Sequence, residues 1–367
     1  MSVAVVRKMV LPIATFVLLL PSLAVAQQYH RTDLTANASS VSPSTSTINI
    51  DPNLVNAWGL ARASTSPWWV SDNGTGLSTL YNATGVPQSL VVKVLTPDGK
   101  GTLAPTGAVF NPTPAFPVAP MVKAIFLFVT EDGTISGWNP GVNPNAIVLK
   151  NRKGKAIYKG CAIAQGKNGP QFYATNFQSG RVEVFDANFN KLSLDDHAFR
   201  LRGLSDDYAP FNIQNVGGNL VVTFAHRDEG SKDEDHAPGL GFAGVFDPRG
   251  QLLLRLEHGP WFNAPWGIAL APGDFGLFSH RLLIGNFGNG NINAFNLMTG
   301  KHEGRMLDDT TGKAVSIDGL WAISFGGDAT NNGLATSLYF TAGPNDENDG
   351  LFGTLTAVAA EQPGNSQ

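Results

Sequence analysis

A short apolar run with a small residue near its start recurs six times, at Gly59, Gly107, Gly160, Asn212, Gly267 and Ala322. Successive spacings are 48, 53, 52, 55 and 55 residues. The first copy shows the grammar: Trp58-Gly59-Leu60-Ala61, then Trp68-Trp69-Val70-Ser71, a turn at Asp72-Asn73-Gly74-Thr75-Gly76, and Leu77 to Tyr81. Aromatic and β-branched runs bounded by Gly, Asn and Asp predict strands joined by turns. Such a meander cannot bury both faces alone, so copies must stack side by side. A period of about 50 residues fits four-stranded antiparallel blades. The chain therefore reads as all-β, a six-bladed β-propeller, with a two-sheet sandwich as the competing fold. Small residues at the innermost strands permit close approach at the axis. Fourth strands are expected at Ser89 to Leu95, Ala146 to Leu149 and Leu252 to Leu256. The sixth copy shows three strands, to about Val358, so a strand at Tyr29 to Leu34 is expected to close the last blade and remove the open edge.

Composition supports this reading. With 41 glycines, 23 prolines and 15% charged residues, apolar residues at helical spacing are soon interrupted, and no helix is predicted. Arg7 and Lys8 precede an apolar run from Met9 to Leu20, and Ala24-Val25-Ala26 offers a small-residue cleavage site. Residues 1–26 thus read as a signal peptide, against a membrane anchor as the alternative. Residues 27–358 form the expected propeller domain and 359–367 a polar tail. The mature chain is expected to be secreted, periplasmic or extracellular, monomeric and without a stable membrane anchor. Loss of Arg7 and Lys8 takes the formal charge from −4 to −6, which argues against nucleic acid. The lone Cys161 cannot form an internal disulfide; in Cys161-Ala162-Ile163-Ala164 it reads as packing rather than as a nucleophile.

Propeller geometry puts the starts of the innermost strands on the same face as the loops between second and third strands. This collects Asp72, Asn73, Glu131, Asp132, Asn176, His226, Asn286 and the loop Asn345 to Gly350; turn formation alone also selects such residues. The inner strands begin with aromatic residues, Trp58, Phe211, Trp266 and Trp321, which either ring a channel mouth or pack between blades. Asn56, Asn263 and Asp318 lie just upstream. The candidate ligand-binding set is Asn56, Trp58, Asp72, Asn73, Asn176, His226, Trp266, Asn286, Asp318 and Trp321. Asp346 and Asp349 are candidate calcium ligands. His226 to His236 interrupts two apolar strands with two His and five carboxylates; it reads either as a solvated loop or as a lid. No Gly-x-Ser-x-Gly, Walker loop or triad motif appears, and the spaced glycines at Gly285 to Gly290 precede no helix.

The segment Asp51-Pro52-Asn53-Leu54-Val55-Asn56-Ala57-Trp58-Gly59-Leu60-Ala61, followed by Trp68 to Gly76, resembles a family of uncharacterised exported bacterial proteins similar to NHL-type six-bladed propellers. The resemblance covers essentially the whole mature chain. It implies the fold and export, and no established activity. Some members carry a C-terminal sorting helix; this chain departs from them there, which favours release. The expected function is binding of a protein, glycan or small molecule on the Asn/Asp-rich face. The alternative is a calcium-dependent hydrolase of the lactonase type, by analogy with six-bladed relatives. That analogy is weakened because aromatic residues stand where carboxylates and carboxamides should converge.

Overall fold

The computed structural model describes Met1 and residues 27–42, 48–228 and 231–358. The expected signal peptide (save Met1) and the polar tail lie outside the described residues. The strands form six blades around one axis. Blade 1 comprises Ala57–Ala61, Trp68–Asp72, Leu77–Tyr81 and Val92–Lys93; blade 2 comprises Pro105–Phe110, Phe126–Thr130, Thr134–Asn139 and Asn143–Asn151. Blade 3 comprises Tyr158–Gly166, Gly169–Asn176 and Arg181–Phe185, and blade 4 Tyr208–Val216, Asn219–Arg227, Phe242–Phe246 and Leu252–Arg255. Blade 5 comprises Pro265–Leu270, Leu282–Asn286, Ile292–Phe295 and His302–Arg305. Blade 6 takes Leu320–Phe325, Ser337–Ala342 and Leu351–Ala357 from the end of the chain and its fourth strand, Gln28–Ala36, from the beginning. Tyr29 pairs with Ala357 and Ala36 with Leu351, antiparallel, so the ring closes as the sequence predicts.

The outer strands depart most from expectation. Blade 1 has only Val92–Lys93 where Ser89 to Leu95 was expected, whereas blade 2 extends to nine residues. Blade 3 carries three strands and one isolated bridge, Phe185 to Lys191. There the Asp186 carboxylate accepts the backbone N–H groups of Asn188 and Asn190, making a tight turn. Leu192 and Leu194 then pack onto the hydrophobic core, which pulls the chain out of strand geometry. The one helical element among the described residues is a 3₁₀ turn, Gly276–Phe278.

The innermost strands share a defect that positions the site. In each, the pairing with the second strand slips at the same point, between Ala57 and Leu60, Pro105 and Ala108, Tyr158 and Cys161, Pro210 and Asn212, Pro265 and Gly267, and Leu320 and Ile323. A bulge re-aims the side chain it contains. The residues so placed are Trp58, Thr106, Lys159, Phe211, Trp266 and Trp321. Side chains stitch the bulges of neighbouring blades together. The Thr106 hydroxyl donates to the Tyr158 carbonyl (2.8 Å), Thr175 to that of Phe211 (3.1 Å), and the Asn212 amide to that of Trp266 (2.8 Å). The small residues have the steric reason proposed: a Cβ on Gly59 would lie 2.2 Å from the Thr106 carbonyl oxygen.

Candidate functional site at the top of the axis

Four of the six bulge residues plug the axis. Trp58 and Trp321 stack with centroids 3.7 Å apart, Phe287 stacks on Trp321 at 4.2 Å, and Trp266 meets both tryptophans edge-on. Phe211 and Phe177 complete the cluster. All four bulge aromatics are buried. Of the two readings of these aromatics, packing between blades holds: they bury against one another, and the placing of Trp58, Trp266 and Trp321 among the ligand-binding candidates is corrected. Two of their indole N–H groups are committed, Trp321 to the Asn56 side-chain oxygen (2.8 Å) and Trp266 to the Lys159 carbonyl (3.2 Å).

The sixth bulge position is different in kind. Lys159 is fully buried, with its ammonium 4.9 Å from the centre of the Trp58 ring and 5.6 Å from that of Phe177. It donates to Glu131 Oε1 at 2.8 Å and lies 3.7 Å from Asp233 and 3.8 Å from Glu234. Glu131 Oε2 accepts from Lys232 (2.8 Å) and from the Asn73 amide (3.1 Å). Asn56 donates to Asn73 and to Glu347. The cluster thus draws on the loops between second and third strands of blades 1, 2, 4 and 6.

Local backbone explains how these groups arrive. Glu131 sits in the tight turn between the second and third strands of blade 2. Glu234–Asp235 pairs back on His226 and Arg227, folding the charged segment of blade 4 inward as a hairpin. Asn345, Asp346 and Glu347 all adopt left-handed backbone, with φ of 57°, 51° and 63°. Three successive non-glycine residues in that region are costly, and such strain collects where a side chain must be held in place.

Electrostatics separate the carboxylates. Burial works against ionising Glu131, yet Lys159 and Lys232 hold its carboxyl down at about 2. Burial pushes Glu234 up to about 8, with Lys159 only partly opposing and Glu347 adding to the rise. Glu347 is raised as well, again chiefly by burial. Burial also disfavours the Lys159 ammonium, but Glu131 and Glu234 raise it above an ordinary lysine.

The remaining sequence-predicted residues lie apart from this cluster. Asn176 and Asn286 turn inward and hold backbone: Asn176 bonds to the Ile157 N–H and the Lys155 carbonyl, Asn286 to the Asn263 N–H and the Trp261 carbonyl. Asp72 is fully buried within blade 1 and accepts the Thr79 N–H (2.9 Å); burial raises its carboxyl well above the usual range. His226 bonds to Asp235 (2.8 Å) and lines an open cleft of about 780 Å³ with Ile157, Phe177, Gln178, Asp228 and Lys232. Asp318 is exposed and accepts the Asn345 N–H. Asp346 is exposed, and Asp349 accepts from Asn37 (2.8 Å) and Asn345 (3.3 Å). Among the described residues no group of three or more His, Cys, Asp or Glu is arranged to hold a metal ion. Cys161 is buried, and burial pushes its thiol up.

The candidate set left out Lys159, Glu131, Lys232, Glu234 and Glu347. One signal was available for Lys159. Five of the six residues at the equivalent inner-strand position are aromatic or Thr, and it is the single charged one.

The fold and the ring of bulges define a six-bladed β-propeller. A solved streptogramin B lyase is similar in fold, with a TM-score of 0.50, 12% identity, and coverage of 90% of this chain and 98% of that one. A Bacteroides thetaiotaomicron protein of unknown function is similar at a TM-score of 0.52 and 9% identity, covering 90% and 76%. At these identities the likeness concerns the fold alone. No protein-family profile matches the chain. Two Acanthamoeba polyphaga mimivirus proteins do. Uncharacterized protein R648 is 31% identical over 319 residues, covering 83% of this chain and 76% of that one. Uncharacterized protein L690 is 30% identical over 320 residues, covering 83% and 81%. The chain belongs to the family of these proteins. These relatives are viral, so they lend no support to the expected kinship with exported bacterial proteins.

Proposed function

We propose that the protein is a binding module whose ligand site lies on the top face, over the Lys159–Glu131 cluster and the adjoining cleft. The observation that carries this is Lys159 itself. An ammonium buried on the axis forgoes the packing of an apolar residue and costs several kcal/mol in desolvation, to order of magnitude. Stability alone favours a fifth aromatic there. Instead three blades deliver carboxylates to it, one of them on strained backbone. An arrangement that opposes stability in this way is what a recognition site requires.

The calcium-dependent hydrolase is the second reading, and no observation favours it. The axial carboxylates converge on ammonium groups, and Asp346 and Asp349 do not join them. Secretion after cleavage near Ala26 remains part of the proposal, resting on Arg7, Lys8 and the apolar run that follows; the N-terminus of the exported protein tests it. The binding reading is tested by screening glycan, peptide and fragment libraries against the mature protein by NMR. Shifts confined to Asn73, Glu131, Phe177, Lys232 and Glu347 support it. Binding confined to another face overturns it, as does the absence of any saturable binding.

A further inference from the structure

Resting on that reading, we infer that the top-face site recognises a primary alkylammonium group, and that Lys232 occupies its seat from within. Both oxygens of Glu131 are taken by ammonium groups, but the two differ. Lys159 rises from the axis and is fully buried, whereas the Lys232 side chain is 53% exposed and comes from the charged hairpin of blade 4. Lys232 reaches Glu131 Oε2 from the side of the open cleft, which it lines with Phe177 and Ile157. The Asn73 amide supports the same oxygen. The surroundings suit a cation: the carboxylates of Glu131, Asp233 and Glu347, with the largely protonated Glu234 carboxyl beside them, face two lysines, and Trp58 and Phe177 already hold one ammonium near their rings. A carboxylate with an aromatic floor and an apolar approach binds an ammonium carried on an alkyl stem.

Lys232 is the half-exposed partner of a buried carboxylate, and Glu131 keeps Lys159 as its counter-charge when Lys232 is removed, so Lys232 is replaceable. As a tethered competitor it acts at an effective concentration of the order of millimolar. The wild-type protein therefore binds free amines weakly, and removing Lys232 frees the seat.

The test uses the mature protein carrying Lys232→Ala, with Lys232→Met as the second variant, since it keeps the apolar stem. Propylammonium, putrescine and a lysine-containing peptide are titrated by NMR at constant ionic strength, with N-propylacetamide as the uncharged control. The expected result is saturable binding at least tenfold tighter than to wild type, in either variant, with no response to the acetamide. Preference for the peptide over putrescine would point to a lysyl side chain of a protein partner, and the reverse to a free polyamine; both support the ammonium seat. Folded variants that bind none of the amines, or that bind the acetamide equally, overturn it. A successful library screen alongside such a failure would leave the top face as the ligand site and remove only the ammonium assignment.

Discussion

The axis has two sectors built from the same structural position. On one side Trp58, Phe211, Trp266 and Trp321 lie in bulges and fill the centre by stacking. On the other, Lys159 lies in an equivalent bulge and fills it with charge. The backbone is the same, and so is the burial. What differs is what each sector asks of its surroundings. The aromatic sector needs volume and little else, whereas the ionic sector recruits Glu131, Asn73, Lys232, Asp233 and Glu234 from distant loops. A repeated backbone thus accommodates one exceptional residue when neighbouring loops supply its partners.

Substitution separates the sectors. Trp321→Ala removes the ring stacked between Trp58 and Phe287 and strands the Asn56 side-chain oxygen. It should cost about 3–5 kcal/mol in urea unfolding, with Trp321→Phe recovering most of the volume part. Glu131→Gln should cost about 3–5 kcal/mol by another route, because a buried ammonium loses its counter-charge. The double variant Lys159→Met/Glu131→Leu should be more stable than Glu131→Gln alone, since an apolar pair asks for no counter-charge. If the double variant is the less stable of the two, the ionic sector is not the burden described here.

The propeller was legible because its cause is local. Strand and turn chemistry repeats in each blade, and the small residues at 59, 107, 160, 212 and 267 mark where backbones crowd. Closure by Gln28–Ala36 followed from a missing strand. The charged cluster was harder to read, because it depends on which loops meet over the axis. Propeller geometry puts Glu131 and the loop of Glu347 on one face, but turn formation alone also selects such residues, and the partners that single them out, Lys159 and Lys232, reach them only in the assembled ring. For the aromatic residues the sequence leaves a channel mouth and inter-blade packing open, and the structure shows the packing. Sequence alone does not show that four large rings suffice to fill the axis. For blade 3 no fourth strand is read in the sequence, and the structure has none beyond an isolated bridge, because Leu192 and Leu194 turn onto the core.

Glu234 offers a smaller effect with a distinct sign. Burial raises its carboxyl to about 8 in the fold, against 4.5 for an ordinary glutamate. The fold therefore favours the protonated form. That contribution is fully present below about pH 4.5 and is lost as the pH rises towards 8. Glu234→Gln mimics the protonated state, so it should stabilise the protein at pH 8 by about 1–3 kcal/mol and leave it little changed at pH 4. Glu131 titrates the other way, since its carboxyl is held at about 2; its contribution is present above about pH 4.5 and lost as the pH falls towards 2. Unfolding profiles of Glu234→Gln that run parallel to wild type between pH 5 and 8 would mean that Glu234 is ionised in the fold.

The smallest expected effect concerns calcium. The loop from Asn345 to Asp349 has the composition of a cation turn, but its polar groups answer one another. Asp349 receives the amides of Asn37 and Asn345, Asp318 receives the Asn345 N–H, and Asn348 donates to the Asn345 carbonyl. Above the axis, Lys159 and Lys232 supply the positive charge that a divalent ion would have to displace. Millimolar Ca²⁺ added to metal-stripped protein should therefore move the unfolding temperature by less than about 1 °C, because a ligand stabilises only to the extent that it binds the native state. An upward shift of several degrees, abolished by Asp349→Asn, would place a metal in that loop. A shift abolished by Glu131→Gln instead would place it on the axis and reverse the contrast between the two sectors.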